Sequence, residues 1–332
     1  MIEISTLSTI ISDAFPRAFE QSVTRNANFF NLLRKVGYSN AKGPQWEPRL
    51  IGHSNAGTIA TEGGAYRSSS QSTTAKASLP WAVYNVTLDM SGDAVAQIQA
   101  SDTNAIARIV EEKVEDATEG LAEVMNTHLM GGDSTPARGF VGINAAFAAV
   151  GTYAGLSRST YPNWATYVNA NGGTPRAVTM ALLEATSNYL INTLQGKWFV
   201  GLTSPDQEQT IANFTTGAPS QSLQIANGQT VNTISLGAGD VKQPLVPRVW
   251  VNGNPIVKLQ GYTAGQVDFV DPSKLHIEVL EDTTGLTGTG GPAKVQFEKV
   301  QGADKYIWSM ILRAQLVARS PRLGAAVLDD LS

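Results

Sequence analysis

The sequence predicts an α+β fold organised around one long helix, and three observations lead to this class. Apolar residues recur at three- and four-residue spacing from Asp102 to Met130, which is the period of one helix face. Apolar and polar residues alternate from Trp81 to Met90, which is the period of a half-buried strand. Short apolar runs separated by turn residues fill the last third of the chain and predict a β-rich region there.

The long helix has an apolar face and an acidic face. The apolar face is formed by Ile106, Ile109, Val110, Val114, Ala117, Leu121, Val124 and Met125. The opposite side carries Glu111, Glu112, Glu115, Asp116, Glu119 and Glu123, with Lys113 among them. Ser101 or Asp102 is expected to cap the start, and Gly131 and Gly132 are expected to end the helix in a left-handed backbone. At ~1.5 Å per residue this segment is a rod of about 43 Å, which indicates a structural spine.

The composition points away from several classes of protein. The 332 residues are 42% hydrophobic and only 16% charged, and the net charge is −4. A low charge load is expected when much of the surface contacts other subunits, although an ordinary uncharged surface remains open. An acidic balance without a basic run gives no electrostatic basis for holding nucleic acid. The absence of cysteine excludes disulfides and thiolate chemistry, and neither a secretion signal nor a membrane span is expected.

The segments before the helix differ in character. Residues 1–40 contain apolar patches interrupted by Pro16 and are expected to form an arm that lies on another surface. Strands at Gln45–Ile51 and Trp81–Met90, separated by a polar stretch, are expected to form a protruding hairpin. The remaining expected elements are helices at 175–194 and 205–214, and strands at 197–203, 248–251, 256–259, 267–270, 275–280, 294–297 and 306–318.

No residue cluster with catalytic or metal-binding spacing stands out. The sequence from Gly52 to Gly57 (GHSNAG) resembles a nucleophile elbow around Ser54, but its second glycine falls one position late and no helix follows. The glycines from Gly285 to Gly291 lack the Gly-Lys-Ser/Thr ending of a phosphate-binding loop. His53, His128 and His276 are isolated, and Asp133 is supported as a cation ligand only by its charge. We therefore expect no catalytic residue, no cofactor and no metal.

Five stretches, taken in order, resemble the major capsid proteins of tailed bacteriophages with the Hong Kong 97-like fold. They are Leu129–Ile143 (LMGGDSTPARGFVGI), Gly155–Trp164 (GLSRSTYPNW), Val251–Val257 (VNGNPIV), Asp268–Leu275 (DFVDPSKL) and Arg313–Gly324 (RAQLVARSPRLG). The resemblance spans nearly the whole chain, together with the order of arm, hairpin, spine helix, mixed lobe and returning strands.

The resemblance implies a division into four parts. Residues 1–40 are expected to be the N-terminal arm and 41–92 the extended hairpin, or E-loop. The peripheral domain is expected to contain 93–135, with the spine helix, and 296–320. The mixed α/β axial domain is expected to contain 136–295 and 321–332. Some members of this family cross-link a hairpin lysine to a neighbour, but no local motif marks Lys42 or Lys76 for that role.

The implied function is self-assembly into the icosahedral head shell that encloses double-stranded DNA. The expected partners are further copies, as hexamers and pentamers, with a scaffolding protein, a portal and a decoration protein; neither sequence-specific DNA binding nor a membrane is expected. The expected location is the virion, after assembly in the bacterial host cytoplasm. The candidate contacts between subunits are Phe29, Phe30 and Leu33 on the arm and Tyr84, Val86 and Leu88 on the hairpin. Packing of these residues onto the spine of their own chain is the alternative, and the sequence does not choose between the two.

Three other functions remain as alternatives. An encapsulin-type compartment has the same fold and encloses protein cargo. A serine hydrolase using Ser54 is a remote possibility, and a tail tube subunit fits poorly because one long spine helix is unlike a mostly β tube.

Overall fold

The computed structural model describes residues 29–30, 33–50, 74–93, 95, 103–131, 139–215, 249–280, 295–299 and 304–332. The predicted spine is present as helix α1, Thr103–Met130, which is 28 residues long. Its predicted caps Ser101 and Asp102 lie outside the described residues. The helix ends before Gly131 as predicted, but the left-handed backbone expected there is wrong for Gly131, which has no positive φ and whose N–H still donates to Thr127 O at 3.0 Å, as in a helix. Gly132 lies outside the described residues.

The inner face of α1 follows the predicted period with one exception. Val114, Leu121 and Met125 are buried, whereas Val124 is 47% exposed. Three residues fall short of a full 3.6-residue turn, so the step from Leu121 to Val124 carries Val124 to the flank of the apolar stripe. Val124 therefore belongs to the surface of the helix and not to its core face.

Fifteen strands accompany the helix in the described part of the chain. In chain order they are β1 Lys35–Tyr38, β2 Gln45–Trp46, β3 Ala77–Ser78, β4 Ala82–Ser91, β5 Thr152–Tyr153, β6 Leu156–Ser157, β7 Tyr167–Asn169, β8 Val200–Thr203, β9 Val249–Val251, β10 Asn254–Lys258, β11 Val267–Val270, β12 Leu275–Leu280, β13 Val295–Lys299, β14 Lys305–Ala318 and β15 Ala325–Leu328. Most late strands match the predicted ranges within two residues, whereas β1, β3, β5, β6, β7 and β15 were not predicted.

The 14-residue strand β14 organises a five-stranded sheet. One of its edges pairs with β4 in antiparallel register, from Lys305 opposite Ser91 to Ala314 opposite Ala82. Its other edge pairs with β13 and then with β12, and β12 continues to β1. Strand β4 alternates buried and exposed side chains as predicted, and its buried face packs on α1. The spine helix is thereby fixed to this sheet.

The strand that forms the return side of the hairpin differs from the prediction. Of the predicted outgoing strand Gln45–Ile51 the structure shows β2, Gln45–Trp46, which pairs with β3 at Gln45 opposite Ser78, and a further bridge joins Arg49 and Thr74. The predicted return strand Trp81–Met90 instead pairs with β14, so that part of the prediction is wrong. Periodicity alone identified the strand correctly but carries no information about its partner. The hairpin tip, 51–73, lies outside the described residues.

A six-stranded mixed sheet forms the second lobe, in the order β7-β15-β11-β8-β10-β9. Strand β8 is buried on both faces because it lies at the centre of this sheet. The helices that accompany it are α3, Met180–Asn188, continued by a π-helical turn over Tyr189–Thr193, and α4, Pro205–Thr215. The first of these was predicted to start at Pro175, but Thr179 is the N-cap, and its hydroxyl accepts from Leu182 N at 3.3 Å.

Short elements join the two lobes. Helix α2, Ile143–Ala146, and the β5–β6 hairpin follow the spine, and helix α5, Pro321–Gly324, joins β14 to β15. One hydrophobic core lies between the spine and the five-stranded sheet and continues onto the six-stranded sheet at Val200, Leu202 and Val327. A second core lies between the six-stranded sheet and α3 and α4. Within the described residues, no helix is long and apolar enough to cross a membrane.

Candidate assembly surfaces and the joints that hold them

The three predicted contact residues of the arm are buried in the interior of the subunit. Phe29, Phe30 and Leu33 expose 1%, 0% and 2% of their surface. The Phe30 ring is 6.3 Å from the Phe140 ring, and Lys35 Nζ lies 5.0 Å over the face of Phe30. This end of the arm is therefore built into the core beside strand β1.

The three predicted contact residues of the hairpin are buried as well. Tyr84, Val86 and Leu88 lie on the face of β4 that packs on the spine, and each exposes 7% or less. Burial of all six residues within one chain favours intramolecular packing, the alternative that the sequence left open. Their contact with a neighbouring subunit stays a prediction.

Tyr84 forms a polar joint at the C-terminal end of the spine. Phe140 N–H donates to its hydroxyl at 3.0 Å, and the hydroxyl lies 2.8 Å from His128 Nδ1. The hydroxyl oxygen has a second lone pair besides the one that accepts from Phe140, so the tautomer of the imidazole decides which group donates in the contact with His128. Burial raises the pKa of Tyr84 and lowers the pKa of His128, so both groups are held in their neutral forms.

The hairpin base docks on the segment that follows the spine. Trp46 Nε1 donates to Arg319 O at 3.2 Å, and the Trp46 ring lies 6.4 Å from that of Trp164. On the other strand, Ser78 N donates to Ala154 O at 3.0 Å. Both sides of the base are thus fixed to the body of the subunit, which sets the direction in which the hairpin leaves it.

A buried arginine organises the docking segment. Arg158 is 4% exposed, and its guanidinium donates to Val150 O at 2.9 Å, Ala145 O at 2.7 Å and Ala146 O at 2.9 Å. Its guanidinium carbon also lies 5.7 Å from the centre of the Tyr153 ring. One side chain therefore fixes the loop between α2 and β6. The sequence placed Arg158 in a family-like stretch but gave no sign of this role.

Gln315 is a second joint that sequence reasoning missed. It is fully buried on β14, accepts from Val141 N at 3.0 Å and donates to Pro80 O at 2.8 Å. A single amide thus joins the exit of the spine to the start of β4. A glutamine within an apolar strand was the one available signal, since a buried amide requires partners.

Asp268 is a buried acid in the sheet of the second lobe. It lies on β11, is fully buried, and accepts from Gln266 Nε2 at 2.8 Å. Burial raises the pKa of Asp268 to about 7, nearby Asp329 adds to this, and hydrogen bonding from its neighbours partly opposes it. The carboxyl group is therefore partly protonated at neutral pH.

The described residues contain no cluster suited to metal binding. No group of three or more His, Asp or Glu residues there could hold a metal ion. His128 is engaged by Tyr84, and His276 Nε2 lies 3.0 Å from Glu278 Oε1, a carboxylate that also binds Arg319 at 3.3 Å. Ser54, His53, Asp133 and the glycines 285–291 lie outside the described residues. The side chains brought together on the described part of the chain serve packing and orientation.

Two lobes, a long spine against a sheet, and a hairpin docked at its base define a shell protein with the Hong Kong 97-like capsid fold. Residues 27–305 match the model of the SU10 major capsid protein family, and the chain belongs to that family. It is a major capsid protein of the kind that forms the icosahedral shell of tailed phages. No curated protein matches.

Solved structures share the fold at low sequence identity. The capsid of cyanophage A-1(L) is 20% identical, with 92% of this chain and 93% of that one covered and a TM-score of 0.68. The capsid of a native GTA particle is 11% identical, with 91% and 89% covered and a TM-score of 0.57. The holo-SrpI encapsulin of Synechococcus elongatus PCC 7942 is 12% identical, with 92% and 87% covered and a TM-score of 0.53.

Proposed function

We propose that this capsid protein forms the head of a tailed phage and that the shell encloses double-stranded DNA. The family match over residues 27–305 carries the proposal, since it distinguishes a phage capsid from an encapsulin of the same fold. The subunit is a virion component, and we propose that it assembles in the cytoplasm of the bacterial host. A scaffolding protein, a portal and a decoration protein are the proposed further partners.

The strand pairing supports a revised division of the subunit. We assign β1, β4, β12, β13, β14 and the spine to the peripheral domain, because the five strands share one sheet and the spine packs on β4 of that sheet. The axial domain contains the six-stranded sheet with α3 and α4. The E-loop is limited to the hairpin that starts at β2 and returns through β3. These boundaries replace 41–92 and 136–295 as the proposed hairpin and axial ranges.

The proposed wall is acidic where the spine is exposed. Glu112, Glu115, Asp116 and Glu123 all point to solvent from one helix. Clustered carboxylates repel phosphates, which suits a container that packs and releases DNA without holding it. Binding of duplex DNA by isolated subunits that is strong at low salt and weakens steeply with added salt would contradict this part of the proposal.

Expression with and without the neighbouring genes tests the function directly. Negative-stain microscopy is expected to show closed shells or capsomer rings of the purified protein. A protein that stays monomeric in both preparations contradicts self-assembly. Particles that recruit a protein cargo encoded next to this gene, with no portal or terminase nearby, would favour the encapsulin alternative.

We propose that the protein is not an enzyme. The remote hydrolase alternative requires Ser54, so the Ser54→Ala variant and the parent protein are compared on generic esters. Equal background hydrolysis is expected from both. Turnover by the parent that Ser54→Ala abolishes would overturn this part of the proposal.

A further inference from the structure

Exposed large apolar side chains are few on the described surface, and most of them gather in one place. Four of the six lie near one end of the six-stranded sheet: Tyr189 (36% exposed), Ile191 (42%), Phe199 (53%) and Leu323 (38%). The other two are Val124 on the spine and Val150 in the loop before β5. Single exposed apolar residues are ordinary, whereas a cluster on an otherwise polar surface indicates a contact site.

Backbone hydrogen bonds place these residues at the same end of the sheet. Phe199 N donates to Val270 O at 3.1 Å, and Asp271 N donates to Gly324 O at 2.8 Å. Phe199 precedes β8, Asp271 follows β11 and Gly324 precedes β15, and these three strands are neighbours in the sheet. The three residues therefore form a row across one end of the sheet. A Cβ on Gly196 would lie 2.9 Å from Leu323 O and 2.6 Å from Leu190 Cδ1. The 189–199 segment therefore packs closely against helix α5.

The patch is rigid beneath its exposed side chains. Trp198 is buried with its ring 4.8 Å from that of Phe269, and Asn254 Nδ2 donates to Trp198 O at 3.1 Å. Val200 on the other side of Phe199 is also buried. The Tyr189 ring stacks on Tyr167 at a centroid distance of 3.8 Å. Because both neighbours of Phe199 are anchored in the core, its ring is held outward rather than left free to fold back.

Cations border the patch. Lys197 is exposed beside Phe199, and Arg322 precedes Leu323 on α5. Lys274 lies against α5, with its Cβ 3.1 Å from the position of a Cβ on Gly324. The same chain also carries a surface of opposite charge, formed by the exposed carboxylates of the spine helix at Glu112, Glu115, Asp116 and Glu123. Contacts between unlike surfaces of identical subunits are those that build rings and shells.

We infer that the Phe199 patch, comprising Tyr189, Ile191, Lys197, Phe199, Lys274 and 322–323, is a contact surface that an acidic surface of a second copy covers in the shell. The inference rests on the proposed function and adds one surface through which the subunits contact each other during assembly. Apolar side chains at its centre exclude water, and the cations at its border select an acidic partner and orient it.

Two charge substitutions test the centre of the patch. Phe199→Glu and Leu323→Glu are compared with Val150→Glu, a control at a valine that is 77% exposed outside the patch. Circular dichroism and thermal unfolding establish that each subunit is folded. The inference expects particle yield, measured by sedimentation and negative-stain microscopy, to fall at least about tenfold for the two patch variants and to stay unchanged for the control. If Phe199→Glu fails to fold, Leu323→Glu and the milder Phe199→Ser decide the question.

Lys197→Glu tests the charged border. Assembly of this variant is expected to require a higher protein concentration at low salt, with the difference shrinking as salt is added. Normal particle yield of folded Phe199→Glu and Leu323→Glu overturns the inference and leaves the proposed function intact. Normal assembly of Lys197→Glu with loss of duplex DNA binding also overturns it, since the patch would then bind nucleic acid. Failure of the parent protein to assemble at all contradicts the proposed function, and the inference falls with it.

Discussion

The hydroxyl of Tyr84 lies 2.8 Å from Nδ1 of His128, and this contact joins strand β4 to the last turns of the spine helix. The same hydroxyl accepts the N–H of Phe140, so one oxygen links three segments that are far apart in the chain. The joint fixes the exit of the spine where the chain passes into the second lobe. Its removal therefore affects the orientation of the helix as well as the stability of the core.

Replacing Tyr84 with phenylalanine is expected to destabilise the subunit by about 1–3 kcal/mol, because a buried N–H and an imidazole nitrogen both lose their partner. Denaturant unfolding of the unassembled subunit measures the change. Tyr161→Phe is the matched control, since it removes a hydroxyl from a half-buried tyrosine outside this joint and is expected to cost less than about 0.5 kcal/mol. Equal stability of Tyr84→Phe and the parent would show that the joint contributes nothing.

Replacing Arg158 with methionine is expected to lower stability by about 2–4 kcal/mol. The substitution keeps much of the side-chain volume but leaves three carbonyl groups, that of buried Ala146 among them, without their donor. Thermal unfolding measures the loss. Arg34→Met alters an exposed arginine and is expected to leave the transition within the error of measurement. A similar small effect from both variants would contradict the organising role of Arg158.

Two glycine substitutions are expected to act in opposite directions. A Cβ on Gly142 would lie 2.1 Å from Gly131 O and 2.6 Å from His128 O, so Gly142→Ala forces the backbone at the end of the spine apart. Gly120 has no atom within 4 Å of the corresponding position and lies in mid-helix, so Gly120→Ala is expected to stabilise by about 0.5–1 kcal/mol. Urea unfolding of both variants checks the pair. A stabilising Gly142→Ala would show that the two segments are not in close contact.

Replacing Asp268 with asparagine is expected to remove a pH dependence of stability. The pKa of this carboxyl is raised from 3.8 to about 7 in the folded chain, so folding disfavours its charged form. The penalty is absent below the pKa of the unfolded chain, grows as the pH rises from about 4 to about 7, and is then constant, reaching about 4 kcal/mol at ~1.4 kcal/mol per unit.

The measurement compares the unfolding free energies of Asp268→Asn and the parent at pH 5 and pH 8. The parent is expected to lose stability relative to the variant over this interval. Asp206→Asn, at an exposed position, is expected to follow the parent. Parallel pH profiles for Asp268→Asn and the parent would show that the carboxyl is not held neutral.

The sequence could predict the elements whose pattern of apolar and polar residues is visible within the element itself. The spine from Thr103 to Met130 has a clear period, and β11 and β12 are apolar runs bounded by turn residues. Pairing was less accessible, since the alternation from Trp81 to Met90 identified a strand but not β14 as its partner, which is more than 200 residues away. The pairing of β1 with β12 was missed because a four-residue strand in an arm-like segment has too few residues to show a period.

The candidate surfaces were still less predictable. Phe29, Phe30, Tyr84 and their neighbours are apolar and were assigned to subunit contacts, but the same property suits the interior. Phe199 adjoins the buried strand β8, and the predicted strand 197–203 therefore placed it in the core. Its exposure depends on how three strands end at one edge, which is a property of the tertiary arrangement. The roles of Gln315 and Arg158 depend in the same way on backbone atoms brought in by distant segments.

Strand β14 pairs along both of its own edges and then leads through α5 into β15, which lies inside the other sheet between β7 and β11. The two lobes are therefore expected not to come apart separately. A pull applied to the hairpin base at Trp46 passes through Arg319 into this same strand. The subunit is therefore expected to resist stretching as one mechanical body and to melt in a single cooperative step. Under load, a head built from such subunits is expected to fail at the contacts between subunits before a subunit unfolds.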